Sequence, residues 1–242
     1  MKTKKLVQTF SLLLVLFFSL SSCQEDQAKY YYQKAYILEE EERYAEAIQM
    51  HDKAIAINPQ FEIAYLDRAI DKSLLEDFEG AITDLDTLLQ IQPNAIEAYV
   101  WRAEYNRMLE RYSAALKDAE QAFNLKKPIH PDGYLVDSFS EEEAAKADPV
   151  NGKPYYDVEL EYVLYERGLA SYRSGYMERA YEDISYCISK DLNPVLSRLI
   201  RGEILLHQGK IEKACEDLFF ASSKGNTAAA ALTMEYCYKN TQ

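Results

Sequence analysis

The sequence predicts an all-α fold, a superhelix (α-solenoid) of about five stacked helix–turn–helix repeats closed by a C-terminal capping helix. Three observations predict it. First, residues recur at a step of 34: Tyr44, Ala47 and Ala54 map onto Phe78, Ala81 and Leu88, then onto Tyr112, Ala115 and Ala122. After a break the same step carries Gly168, Gly175 and Ala180 onto Gly202, Gly209 and Ala214. Second, glycine and proline are sparse, at 8 and 7, and several fall where the repeats turn. Third, a hydrophobic content of 48% excludes a wholly disordered chain.

The N-terminus reads as an address. Lys2, Lys4 and Lys5 precede an almost unbroken apolar run, Phe10–Leu20, too short to span a bilayer and suited to a signal-peptide core. The run ends in Leu20-Ser21-Ser22-Cys23, which resembles the lipobox of bacterial lipoproteins. The resemblance implies a signal peptide over 1–22, cleavage before Cys23 and acylation of its thiol and new amino group, with 23–27 as lipidated Cys and short linker. More than one acyl chain gives a stable anchor. Gln24 stands where inner-membrane retention favours Asp, so the expected site is the outer membrane. Glu25-Asp26 resembles the acidic tags of some surface lipoproteins, and equally suits a solvated helix entry, leaving periplasmic face and cell surface both open.

Residues 28–129 hold repeats 1–3, beginning at 28, 62 and 96, and 161–228 hold repeats 4 and 5, beginning at 161 and 195. Large and small residues pair four apart in each first helix: Tyr31/Ala35, Tyr65/Ala69, Tyr99/Ala103, Leu164/Gly168 and, departing most, Arg198/Gly202. Position 20 is Ala47, Ala81, Ala115, Ala180 and Ala214. The pattern resembles the tetratricopeptide repeat. Position 7, Leu in the family pattern, is Lys34, Arg68, Arg102, Arg167 and Arg201 here, and position 23 is Met50, Asp84, Asp118, Asp183 and Asp217. Arg and Asp therefore coincide in repeats 2 to 5, which predicts ion pairs between antiparallel helices, within a repeat or to the next.

Over 130–160 the period is lost in an irregular insert with turn signals Asp132-Gly133 and Asn151-Gly152, and Ser140 with Glu143 resembles a capping box. Such an insert serves binding or acts as a surface spacer. Asn226–Lys239 reads as a helix, and 229–242 forms the capping helix and tail that covers the open apolar edge.

In the family, a second face of each first helix lines a concave groove for partner peptides. The matching residues include Tyr32, Tyr36, Glu39, Leu66, Ile70, Val100, Glu104, Tyr165, Leu169 and Tyr172, an apolar, tyrosine-rich surface. The same face could instead be buried between adjacent first helices, and for Tyr32, Tyr36, Leu66 and Tyr165 both readings stand. Some family members clamp a carboxylate with Lys, Asn and Arg; here those sites are Tyr32, Tyr36, Glu97 and Trp101, so that clamp is absent.

The net charge of −13 becomes −16 once residues 1–22, with three lysines and no acid, are removed. Nucleic acid is thereby a poor partner. His51, His130 and His207 form no HExxH or Cys-His cluster, and there is no GxSxG, Walker or GxGxxG motif, so no metal, cofactor or enzymatic activity is predicted. His51 falls at position 24, normally a core site. Cys187 reads as a buried thiol, whereas Cys215 and Cys237 sit where the last second helix and the cap could bring them side by side as a disulfide. The expected function is a lipid-anchored envelope scaffold or adaptor for a protein or peptide partner. The alternative is a binder of a glycan or peptide fragment at the repeat 3–4 junction and insert, through Trp101, Tyr165 and Tyr172.

Overall fold

The computed structural model describes residues 24–126 and 158–238, and the helical pattern dictated by the repeats is realised throughout them. Cys23, the signal segment and most of the insert, including Ser140 and Glu143, lie outside the described residues. Helix α1 covers 24–40. It is followed by α2 (Tyr44–Ile57), α3 (Glu62–Leu74), α4 (Phe78–Ile91), α5 (Ile96–Met108), α6 (Tyr112–Lys126), α7 (Leu160–Arg173), α8 (Met177–Ser189), α9 (Pro194–His207), α10 (Ile211–Ser223) and the short α11 (Thr227–Leu232). No described helix is long and apolar enough to cross a membrane. The described residues fall into two compact units, an N-terminal one with α1–α4 and a C-terminal one with α5–α11.

One turn joins the two helices of every repeat. Glu42, Glu76, Glu110, Gly175 and Gly209, all at position 15, have φ of 57°, 62°, 58°, 83° and 70°. The N–H of the following residue donates five residues back, as in Arg43 to Leu38 and Tyr176 to Ser171, which satisfies a carbonyl the helix end would orphan. Glycine takes this left-handed conformation without steric cost, and the three glutamates do not.

Inside each repeat, small residues let the helices touch. A Cβ on Gly168 would lie 2.9 Å from Ile184, and one on Gly202 would lie 2.9 Å from Leu218. Ala47, Ala81, Ala115, Ala180 and Ala214 are all fully buried. The Arg–Asp pairs form within repeats: Arg68 with Asp84, Arg102 with Asp118, Arg167 with Asp183 and Arg201 with Asp217, each bidentate at 2.5–2.9 Å. These aspartates are at most 5% exposed. Burial of such a carboxylate requires the paired cation, so the clasp fixes the register of the two helices.

In the C-terminal unit α6 packs directly on α7, so stacking continues from repeat 3 to repeat 4 despite the intervening insert. Phe123 lies under the Arg167 guanidinium at 3.7 Å, and Arg107 binds buried Glu166 at 2.9 and 3.2 Å. The cap departs from one continuous helix. Asn226 caps α11 by accepting from the Ala229 N–H at 2.8 Å, and Thr233–Cys237 then widens into a π-helical turn. Within that turn Thr233 donates its hydroxyl to the Ala229 carbonyl at 2.7 Å, a local bond that competes with regular helix pairing. Cys237 is disulfide-bonded to Cys215, with Cα atoms 5.7 Å apart, and Cys187 is a buried free thiol.

Candidate functional site

The face expected to line a groove divides according to depth. In the N-terminal unit Tyr32 and Leu66 are buried, whereas Tyr36 and Ile70 are half-buried. The Tyr32 ring lies against Phe61 and His51, at centroid distances of 5.3 and 5.7 Å, and its hydroxyl donates to Asp67 at 2.7 Å. In the C-terminal unit Val100, Tyr165 and Leu169 are buried, and Glu104 and Tyr172 are half-buried. Polar rungs connect neighbouring first helices there: Tyr162 donates to Glu104 at 2.8 Å and Tyr172 to Glu203 at 2.9 Å. Burial, with the nearby carboxylates, pushes Tyr165 and Tyr172 up to about 12, so both phenols are neutral donors near neutral pH. In each unit the inner positions thus lie in the core, while Tyr36 and Ile70 in the N-terminal unit and Glu104 and Tyr172 in the C-terminal unit keep partial access to solvent.

Trp101 and Tyr165 are both in ring contact with Tyr162, at 5.9 and 6.4 Å. Neither they nor Tyr172 line the open cavity of about 660 Å³ in the C-terminal unit. That cavity lies beside the turn of repeat 3 and the α7–α8 turn, and its wall carries Arg111, Tyr112, Lys117, Glu120, Arg173 and Tyr176. Its mixed charge and its size suit a small polar molecule.

A second constellation gathers residues that are far apart in sequence. His51 on α2 is fully buried, with Nε2 2.9 Å from Glu39 Oε1 on α1 and 3.6 Å from Asp71 Oδ2 on α3. One ligand atom from each of the three lies within 4.8 Å of the others, the one group of its kind among the described residues. Asp71 is 2% exposed, and burial, then the charges of Glu39 and Asp67, push its carboxyl up to about 8. Motif spacing does not bring these three residues together, because the ligands come from three helices. The sequence did carry a signal. Position 24 is His51 in repeat 1 but Leu85, Ala119, Ile184 and Leu218 elsewhere, and all five are fully buried.

The repeat geometry agrees with comparison to known proteins. Residues 28–61 match the family model described as tetratricopeptide repeat, and no curated protein matches the chain. Several solved structures share the fold at low identity. The chain is similar to YrrB, described as a TPR protein with an unusual peptide-binding site, with a TM-score of 0.63, 16% identity and coverage of 84% of this chain and 90% of that one. It is similar to MamA from Desulfovibrio magneticus RS-1 (TM-score 0.62, 16% identity, 84% and 98% covered). It is also similar to pilF of Pseudomonas aeruginosa (TM-score 0.59, 13% identity, 83% and 77% covered). In fold, the described residues form helix–turn–helix repeats like those of these tetratricopeptide-repeat structures.

Proposed function

We propose that the chain is a scaffold of the cell envelope, anchored in the outer membrane through acylated Cys23, that holds a protein or peptide segment on the outer first-helix positions of its N-terminal or its C-terminal unit. The observation that carries this reading is the character of the half-buried positions in each unit, Tyr36 and Ile70 in the N-terminal one and Glu104 and Tyr172 in the C-terminal one, which offer apolar area with phenol or carboxylate groups. Tyrosines cover large area at low side-chain entropy, which suits recognition. With a net charge of −16 once residues 1–22 are removed (24 basic against 40 acidic residues), the complementary segment is apolar to mildly basic. The description of YrrB as a TPR protein with an unusual peptide-binding site supports a peptide as the class of partner.

Crosslinked pull-down from membranes tests it, comparing the parent with Tyr36→Ala/Ile70→Asp and with Glu104→Gln/Tyr172→Ala. A specific protein captured by the parent and lost from either variant, with both variants folded, is the expected result. Capture unaffected by both variants moves the site off this face. A second reading rests on the cavity of about 660 Å³ beside Arg111 and Arg173, which would hold a small polar ligand. Retention of such a ligand by purified protein, abolished by Arg173→Ala, distinguishes it.

A further inference from the structure

The slot filled by His51 belongs to the hydrophobic core of the repeat. Leu85, Ile184 and Leu218 occupy it elsewhere, so an imidazole there exchanges apolar packing for a polar group that needs partners. Its partners are two carboxylates, Glu39 and Asp71, contributed by the flanking helices. Neither carboxylate has a Lys or Arg ion-pair partner among the described residues, unlike the aspartates of the repeated clasps, each of which binds arginine. Asp71 Oδ2 is buried, directed at His51 and without a hydrogen-bond donor. Asp67, bonded to the Tyr32 hydroxyl, adds a further acidic group to the same region. One buried carboxylate and one half-buried one thus face a histidine with no lysine or arginine beside them among the described residues, an arrangement suited to a bound cation.

We propose that Glu39, His51 and Asp71 bind one divalent transition-metal ion of the zinc class, which ties α1, α2 and α3 together. The geometry suits such an ion. For ligand distances of about 2.1 Å, the edge of a tetrahedron is about 3.4 Å, close to the observed separations of 2.9 and 3.6 Å from His51 Nε2. One imidazole with two carboxylates favours zinc-like ions over magnesium or calcium, which prefer oxygen ligands alone. The two carboxylates balance the ion's charge, so the loaded cluster is neutral in its buried setting. The Glu39 side chain is 22% exposed and forms the solvent side of the cluster, where the ion enters and a fourth ligand can sit.

The test uses the full chain purified in detergent, stripped with chelator and titrated with zinc, with bound metal measured by elemental analysis and by calorimetry. One zinc per chain is expected, with a Tm that climbs with free zinc as mass action requires. Asp71→Asn and Glu39→Gln should weaken binding by more than the ~10–100-fold typical of outer-shell partners. His51→Leu should fold, because leucine fills the same slot in repeats 2 and 5. It should lose the zinc response while its Tm equals or exceeds that of the metal-free parent. His207→Ala, at an exposed site, should change nothing. Absence of stoichiometric zinc and of any zinc-dependent Tm in the parent overturns the proposal and leaves a proton-sharing hydrogen-bonded cluster in its place. Zinc binding that survives His51→Leu, or a preference for magnesium or calcium, overturns it equally.

Discussion

In repeat 5, Leu218 packs on Gly202, while Asp217 beside it accepts two bonds from Arg201 and one from Arg198. In repeat 1 the same two positions are His51 and Met50, and the position-7 partner is Lys34, which lies over the Tyr30 ring at 4.8 Å. One repeat thus closes with a leucine and a bidentate clasp, and the other with a histidine held between carboxylates. The difference teaches which parts of the repeat are obligatory. Ala35 and Ala47 stay fully buried in repeat 1 as their counterparts do elsewhere, so close helix approach is kept. The clasp and the apolar plug at position 24 are replaceable, provided another interaction satisfies the buried polar groups.

That comparison can be broken at the clasp first. Asp84 is 3% exposed and accepts from Arg68 and Lys72. Asp84→Ala should lower unfolding free energy by about 3 kcal/mol, because it takes the carboxylate from Lys72 and leaves Arg68 only the exposed Asp52. Asp86→Ala, two residues on and exposed, should stay within ~0.5 kcal/mol. Equal midpoints in urea denaturation would remove the clasp from the account. Transplanting the repeat 1 chemistry is the next step. Leu218→His places an imidazole where no acceptor pair awaits it, and should cost roughly 2–4 kcal/mol by thermal unfolding, whereas the reverse change His51→Leu should cost little or stabilise the metal-free chain. If both substitutions destabilise alike, the two slots are not distinguished by their surroundings.

A third comparison sets the cap against the rest of the chain. The Cys215–Cys237 bridge closes a loop with a sequence separation of 22. Reduction should lower stability by about 2–3 kcal/mol, with faster hydrogen exchange confined to 227–238. The smallest effect belongs to the turns. Glu76→Gly relieves a left-handed φ of 62° and should stabilise by up to about 1 kcal/mol, offset in part by added freedom of the unfolded chain. Gly175→Ala should destabilise by a similar amount.

Much of the fold was legible because the repeat writes the same message several times. The small residues at positions 8 and 20 and the Arg–Asp coincidence at 7 and 23 gave the helix pairing. The structure settled that each clasp lies within a repeat rather than bridging to the next. The candidate site was less legible. Helix periodicity places Tyr32, Tyr36, Leu66 and Tyr165 at corresponding positions of their own helices, but it does not say how deeply each position is covered. Tyr32, Leu66 and Tyr165 are buried and Tyr36 only half so. The cap was expected as one helix, and the Thr233 hydroxyl with the disulfide at Cys237 ends it in a π-helical turn instead.

The sequence by itself determined the architecture, because helix periodicity and the 34-residue step are local and repeated, and each copy corroborates the others. It also determined the acidic surface, which depends on composition alone. Tertiary structure alone decided which carboxylates meet His51. Glu39, His51 and Asp71 lie 12 and 20 positions apart on three helices, and only the stacking of α1, α2 and α3 converts those separations into contacts of 2.9 and 3.6 Å. A single histidine in one core slot is a non-repeating event, invisible to periodicity, and its meaning resides in what the neighbouring helices place beside it.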